Sequence, residues 1–190
     1  MTPSTRRSYF DEMYASGPDP WGFESRWYER RKYQLTVASL LEPRYQSGFE
    51  PGCSIGVLSD LLAQRCDHLL ATDIVPVALE QAAERLRSRD NVTLELRAIP
   101  EAWPEGLFDL VVLSEIAYYF DPDTLHELLE RMIGTTRPGA TIAAVHWRGT
   151  TDYPLSGDEA HTIIGQAPHL ERRVHHADDQ FLLEIWRRTQ

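Results

Sequence analysis

The sequence predicts an α/β fold: a mostly parallel seven-stranded sheet with one antiparallel strand and helices on both faces. Three observations carry this expectation. An acid- and glycine-bearing turn, Glu50-Pro51-Gly52-Cys53-Ser54-Ile55-Gly56, leads into the helical-looking residues 57–62, and the next apolar run, residues 69–72, ends on an acid, Asp73. Strand-like and helix-like segments alternate from there to Val145, the series that builds parallel sheets. Near the C-terminus, residues 169–174 and 181–186 flank the polar His175-His176-Ala177-Asp178-Asp179-Gln180, a hairpin pattern that supplies the antiparallel strand.

Residues 8–33 are crowded with Tyr9, Phe10, Tyr14, Trp21, Phe23, Trp27, Tyr28 and Tyr33 and broken by Gly17-Pro18-Asp19-Pro20 and Gly22. So many aromatic rings need cover, so the segment reads as an arm packed on the domain or as a lid over a bound cofactor, with Trp21 beside that cofactor. Residues 29–41 carry apolar side chains at helical spacing and stop before Pro43, which predicts a helix. Residues 45–49 lack the continuous apolar run of a central parallel strand; the glycine turn and helix directly after them nonetheless call for a strand at this place.

Leu58, Leu61 and Leu62 give the helix after the turn one apolar face. Pro76 suits a first helical turn, and Leu79, Ala82, Ala83 and Leu86 line a helix running to about Ser88. Val92, Leu94 and Leu96 alternate with Thr93, Glu95 and Arg97, as in a strand at the sheet edge with one wetted face. Residues 108–113 are mostly apolar and belong in the buried middle, delivering Ser114 and Glu115 to the carboxyl end, where ligands bind in such sheets. Asp121 and Pro122 provide a cap and first turn for a helix carrying Leu125, Leu128, Leu129 and Met132, closed by Gly134. Arg137-Pro138-Gly139 reads as a turn into a fifth strand, residues 141–145, which brings His146 and Trp147 to the same edge. Residues 148–168 form a polar loop with a short helix after Asp158, bordering an acceptor pocket. No repeat or linker interrupts the chain, so residues 1–190 read as one domain: arm and helix (1–45), cofactor-binding core (46–147), acceptor-side loop and hairpin (148–190).

Composition bounds the function. A chain of 190 residues buries roughly 70 % of its unfolded surface without disulfides or metals. With 42 % hydrophobic and 25 % charged residues and no apolar run of spanning length, it reads as a globular protein rather than a membrane protein. The N-terminal Met1-Thr2-Pro3-Ser4-Thr5-Arg6-Arg7 leads to Tyr9, Asp11 and Glu12, not to an apolar signal core, so a cytoplasmic location is expected. Cys53 and Cys66 are too few for a disulfide framework and read as small buried side chains. A net charge of −10 argues against nucleic acid as a partner and favours cationic or neutral small molecules. Oligomeric state is left open. No metal is expected: His175, His176, Asp178 and Asp179 are neighbours in a hairpin, where adjacent side chains point to opposite faces. Neither a Ser/His/Asp elbow nor a Gly-Lys-Ser/Thr phosphate loop is present.

The turn itself narrows the ligand. Dinucleotide binders want glycine at its first, third and sixth places, occupied here by Gly52, Ser54 and Val57. Glu50, Gly52, Ser54 and Gly56 instead resemble the acid-x-Gly-x-Gly-x-Gly turn of class I S-adenosylmethionine (SAM) methyltransferases, with the middle glycine replaced by a small residue. Asp73, roughly twenty residues past the first glycine, is spaced to bind both hydroxyls of a ribose. With residues 108–113 and Arg137-Pro138-Gly139 also in order, residues 49–145 resemble that Rossmann-like class. Asp19-Pro20-Trp21, Glu29-Arg30-Arg31-Lys32-Tyr33, Glu50-Pro51-Gly52-Cys53 and Ser114-Glu115-Ile116-Ala117-Tyr118-Tyr119 resemble more narrowly the nodulation-type (NodS-like) N-methyltransferases, enzymes that methylate the free amine of a de-N-acetylated chitooligosaccharide.

The resemblance implies SAM as cofactor, leaving as S-adenosylhomocysteine (SAH). It implies contacts from Gly52, Ser54, Asp73 and Ile74, from the Ala98-Ile99 backbone and from Ser114; the turn adds Glu50, Cys53 and Gly56, and the lid reading adds Trp21, with Arg31 on the donor's amino-acid carboxylate. Ala98 stands where such enzymes often carry an aspartate for the adenine. An amine acceptor must arrive neutral, so Glu115 and His146, at the ends of adjacent strands, are the candidates for positioning it and accepting a proton. Tyr118, Tyr119 and Trp147 are candidates to contact an amino sugar or related polar acceptor, and Asp152 to hold a cation. O-methylation and a non-catalytic SAM-binding module are the rival readings.

Overall fold

The computed structural model describes residues 4–190; Met1, Thr2 and Pro3, part of the N-terminus expected to lack a leader core, lie outside them. In chain order the elements are α1 (Arg7–Ala15), α2 (Trp27–Ser39), β1 (Tyr45–Pro51), α3 (Val57–Ala63), β2 (Cys66–Asp73), α4 (Pro76–Arg85), β3 (Val92–Leu96) and β4 (Phe108–Ser114). A single 3-10 turn (Ala117–Tyr119) comes next, then α5 (Pro122–Gly134), β5 (Thr136–Trp147), α6 (Gly157–Gly165), β6 (Leu170–Ala177) and β7 (Phe181–Arg188).

The described strands form a seven-stranded sheet in the order β3-β2-β1-β4-β5-β7-β6. β7 runs antiparallel to both its neighbours, and every other pairing is parallel. Alternation along β4 explains the helices on both faces. Val111 and Leu113 join the α5 residues Leu125, Leu128, Leu129 and Met132 in one core, whereas Leu110 and Val112 join Leu58 and Leu62 of α3 and Tyr33 of α2 in the other. Among the described residues no helix is long and apolar enough to cross a membrane.

The strand entering the glycine turn is present despite its polar start. Gln46 and Ser47 donate their backbone N–H groups to the Asp109 carboxylate, 2.8 Å each, and a Cβ on Gly48 would lie 2.8 Å from Cys66 Sγ, so that position has room for no side chain. Several bounds differ from expectation: α2 spans Trp27–Ser39 rather than residues 29–41, and α4 ends at Arg85 rather than near Ser88. Arg137-Pro138-Gly139 is a bulge inside β5 rather than a turn before it: β4 advances from Phe108 to Leu110 while β5 advances from Thr136 to Thr141, which sets aside the proline that cannot donate to a ladder. The hairpin turn begins at Asp178, whose Oδ1 accepts the backbone N–H groups of Gln180 (2.8 Å) and Phe181 (3.1 Å), so β6 continues through Ala177. The arm contains a true helix, α1, whose Tyr14 is buried while Phe10 packs on the same small cluster as Trp21 and Ile55.

Candidate functional site

Strand order reverses between β1 and β4, and a cavity of about 570 Å³ opens there at the carboxyl ends of the parallel strands, a size suited to a cofactor with a small second ligand. Its donor half is built by the turn after β1. Gly52 (φ 73°), Ser54 (φ 51°) and Gly56 (φ 78°) all take left-handed backbone, which explains the alternating small residues. A Cβ on Gly52 would stand 2.6 Å from Ile116 Cδ1, and one on Gly56 3.1 Å from Ala82 Cβ. Gly52 therefore admits the β4 loop to the cavity, while Gly56, outside the lining, lets α4 close on α3.

Asp73 ends β2 with Oδ2 accepting Ser54 N–H (2.8 Å) and Oδ1 accepting Val75 N–H (2.9 Å). Burial pushes its pKa up, and these backbone donors hold it back. Ser54 also meets the Tyr14 hydroxyl in a short hydrogen bond, which ties α1 to the turn. Glu50 lines the cavity with Oε2 buried and unpartnered, and burial pushes its pKa up to about 8 against the pull of Ser59. Burial likewise pushes the Cys53 thiol well up, so it is an apolar wall. Trp21, Ile74, Ile99 and Ser114 line the same half. Side-chain-free approach at Gly52, an aspartate fixed by backbone donors and an orphaned carboxylate oxygen fit the SAM implied by the sequence: hydroxyls for Asp73, a cationic amine for Glu50.

The second half centres on Glu115, itself left-handed at φ 55°. Its Oε1 accepts from Lys32 Nζ (2.5 Å) and Tyr28 OH (3.2 Å); its Oε2 accepts from Trp147 N–H (3.0 Å) and, in a short bond, Tyr118 OH. Lys32 is wholly buried, bridges Glu115 and Glu29 (2.8 Å), and sits over the rings of Tyr28 and Tyr33 at 4.7 and 5.2 Å. Burial raises the Glu29 pKa, with Lys32 pulling it back. Tyr118, Tyr119, Tyr153 and Phe10 form an aromatic wall, braced where Tyr9 OH meets Tyr153 OH at 3.0 Å, and the exposed Trp147 lines the mouth.

Five expected residues lie outside the lining: Gly56, which packs α3 against α4, and four others. Arg31 does not reach the cavity: its Nη1 pairs with Asp178 at 2.6 Å and its guanidinium lies 5.0 Å from the Phe181 ring centre. His146 also stays out of the lining. Its ring is fully buried and its Nε2 accepts the backbone N–H groups of Ala117 (2.9 Å) and Ile116 (3.3 Å), so it has no lone pair to offer an acceptor. Burial, then His161 and Lys32, holds its pKa well below the usual imidazole range. Ala98 and the exposed Asp152 are likewise absent from the lining. Sequence reasoning passes over Tyr14, Tyr28, Glu29, Lys32 and Tyr153; Glu29 and Lys32 carry a signal, since opposite charges three apart share a helix face.

Against known proteins, the family model for nodulation protein S (NodS) matches residues 10–147. Nodulation protein S of Rhizobium tropici is 29 % identical over 102 residues, 53 % of this chain and 43 % of that protein; that of Bradyrhizobium diazoefficiens is 26 % identical over 126 residues, 65 % and 60 %. The chain thus spans about half the length of these curated relatives. A Pseudomonas syringae protein, described with its crystal structure as a candidate methyltransferase, is 39 % identical with a TM-score of 0.77, over 86 % of this chain and all of that one. The N-methyltransferase NodS of Bradyrhizobium japonicum WM9, solved with SAH, shares the fold at a TM-score of 0.83 and 23 % identity, over 96 % of this chain and 98 % of that one. Matched by that model over well more than half its length, the chain belongs to the nodulation protein S family.

Proposed function

We propose that this protein is a SAM-dependent N-methyltransferase acting on the free amine of an amino sugar or a related polar metabolite. The observation that carries the reading is that one cavity joins the glycine turn and Asp73 to an acidic, tyrosine-walled chamber around Glu115. Asp73 would hold the ribose hydroxyls, Glu50 the donor's amine, and Ile74 and Ile99 the faces of its adenine. Bound there, SAM supplies a methyl group made electrophilic by its sulfonium. The remaining work belongs to the chain. Glu115 supplies a fixed negative charge beside the acceptor nitrogen, where positive charge grows as the new bond forms. With four donors on its two oxygens, Glu115 acts by charge and orientation rather than as a proton store, so the amine must enter neutral. Tyr118, Tyr119 and Trp147 offer flat faces to a sugar ring, and a cytoplasmic location belongs to the same reading.

The test is mass spectrometry of a chitooligosaccharide with one free terminal amine, incubated with SAM and the protein beside its fully N-acetylated twin. Methyl gain on the free amine alone supports the reading. Gain on both substrates, on hydroxyls, would replace it with O-methylation. No gain on either substrate by protein that binds SAH would move the acceptor from amino sugars to other metabolites, and no turnover across many acceptors would leave a cofactor-binding module.

A further inference from the structure

We infer that His146 is a positioning residue: its tautomer, set through His161 by Glu184, holds the Glu115 turn in its left-handed shape. The hydrogen bonds fix the direction of the chain. Ala117 N and Ile116 N are both donors, so His146 Nε2 must present its lone pair and the ring proton must sit on Nδ1. Nδ1 lies 3.1 Å from His161 Nε2, which therefore accepts. His161 in turn carries its proton on Nδ1, 2.9 Å from Glu184 Oε2. Arg172 Nη1 (2.6 Å) and His175 Nδ1 (2.8 Å) take the other carboxylate oxygen and anchor the charge at the β6–β7 side of the sheet. His146, His161 and Glu184 are all buried.

What the chain of bonds secures is the segment shared by both halves of the cavity. Glu115 in left-handed backbone is strained and persists only where its surroundings dictate it. Directly after it, Ile116 packs at Gly52 and Tyr118 turns its hydroxyl to Glu115. The opposite His146 tautomer would aim an N–H at the Ala117 N–H and release the turn. Because the kinetic consequence rests on the methyl-transfer reading, the test has one arm that does not.

That arm is nitrogen NMR of the histidine side chains in the SAH complex. His146 protonated on Nδ1, with a bare Nε2, is expected; protonation on Nε2 overturns the proposal whether or not the protein transfers methyl groups. The second arm compares His161→Leu with His161→Gln. Leucine removes the acceptor for His146 Nδ1–H and should lower kcat by about tenfold to a hundredfold, the scale of an ångström-sized misplacement, with SAH affinity within about threefold of wild type. Glutamine can accept that proton through its side-chain oxygen and should recover most of the loss. A folded His161→Leu protein with the wild-type tautomer and kcat would overturn the inference, as would a glutamine variant no better than leucine. Loss of transfer by the wild-type protein, with His146 still protonated on Nδ1, would instead count against the methyl-transfer reading.

Discussion

Replacing Asp73 by asparagine isolates the charge at the end of β2. Asparagine keeps one oxygen for Ser54 N–H or Val75 N–H, so the turn retains part of its internal support while the ribose loses an ionised partner. A hydrogen bond to a charged group contributes about 1.5–3 kcal/mol. At about 1.4 kcal/mol per tenfold, SAH should bind about 10- to 150-fold more weakly. Calorimetric titration reads this directly, and thermal unfolding of the free protein guards against a folding defect. Asp73→Ala should weaken SAH equally but also unfold earlier, because it strips the buried Val75 N–H of its acceptor, at about 1–3 kcal/mol, and the part-buried Ser54 N–H as well. An Asp73→Asn protein that unfolds normally and binds SAH within about threefold of wild type would refute the assignment of Asp73 to the ribose.

Glu50 makes stability depend on pH. Its carboxyl is raised from the ordinary 4.5 to about 8 in the folded protein, so between those values the native state keeps a proton the unfolded state has lost. Stability should then fall as pH rises across that window, and Glu50→Gln should flatten the fall in Tm; parallel slopes would contradict the burial argument. Gly52→Ala places a methyl group in left-handed backbone and 2.6 Å from Ile116 Cδ1, so chemical denaturation should report a loss of about 1–2 kcal/mol and calorimetry a weaker SAH complex. Arg31→Ala should leave SAH affinity within about twofold and lower stability by no more than about 1 kcal/mol, since it breaks a partly exposed pair with Asp178. A large affinity loss would return Arg31 to the donor site.

The parts legible in the sequence are those encoded by local rules. The alternating small residues of the turn, the acid closing β2, the mostly apolar β4 and the capped, amphipathic α5 each announce themselves within a few residues. What stays hidden depends on contacts between distant segments. Nothing around His146 reveals that His161, fifteen residues on, will take its Nδ1 proton, or that the Ala117 amide will occupy its other nitrogen. Arg31 and Lys32 are adjacent, yet the helix sends one to Asp178 at the surface and the other, fully buried, to Glu115. The bulge at Pro138 reads as a turn because proline and glycine signal both, and only the partner strand distinguishes them.

The most direct measurement is NMR of the product formed from SAM carrying an isotope-labelled methyl group and a chitooligosaccharide that offers both a free amine and free hydroxyls. A labelled methyl resonance coupled to the amine-bearing carbon, absent when Glu115 is changed to alanine in a protein that still binds SAH, is the predicted result. A labelled methyl ether, or no label in the oligosaccharide from a protein fully loaded with donor, would contradict amine methylation.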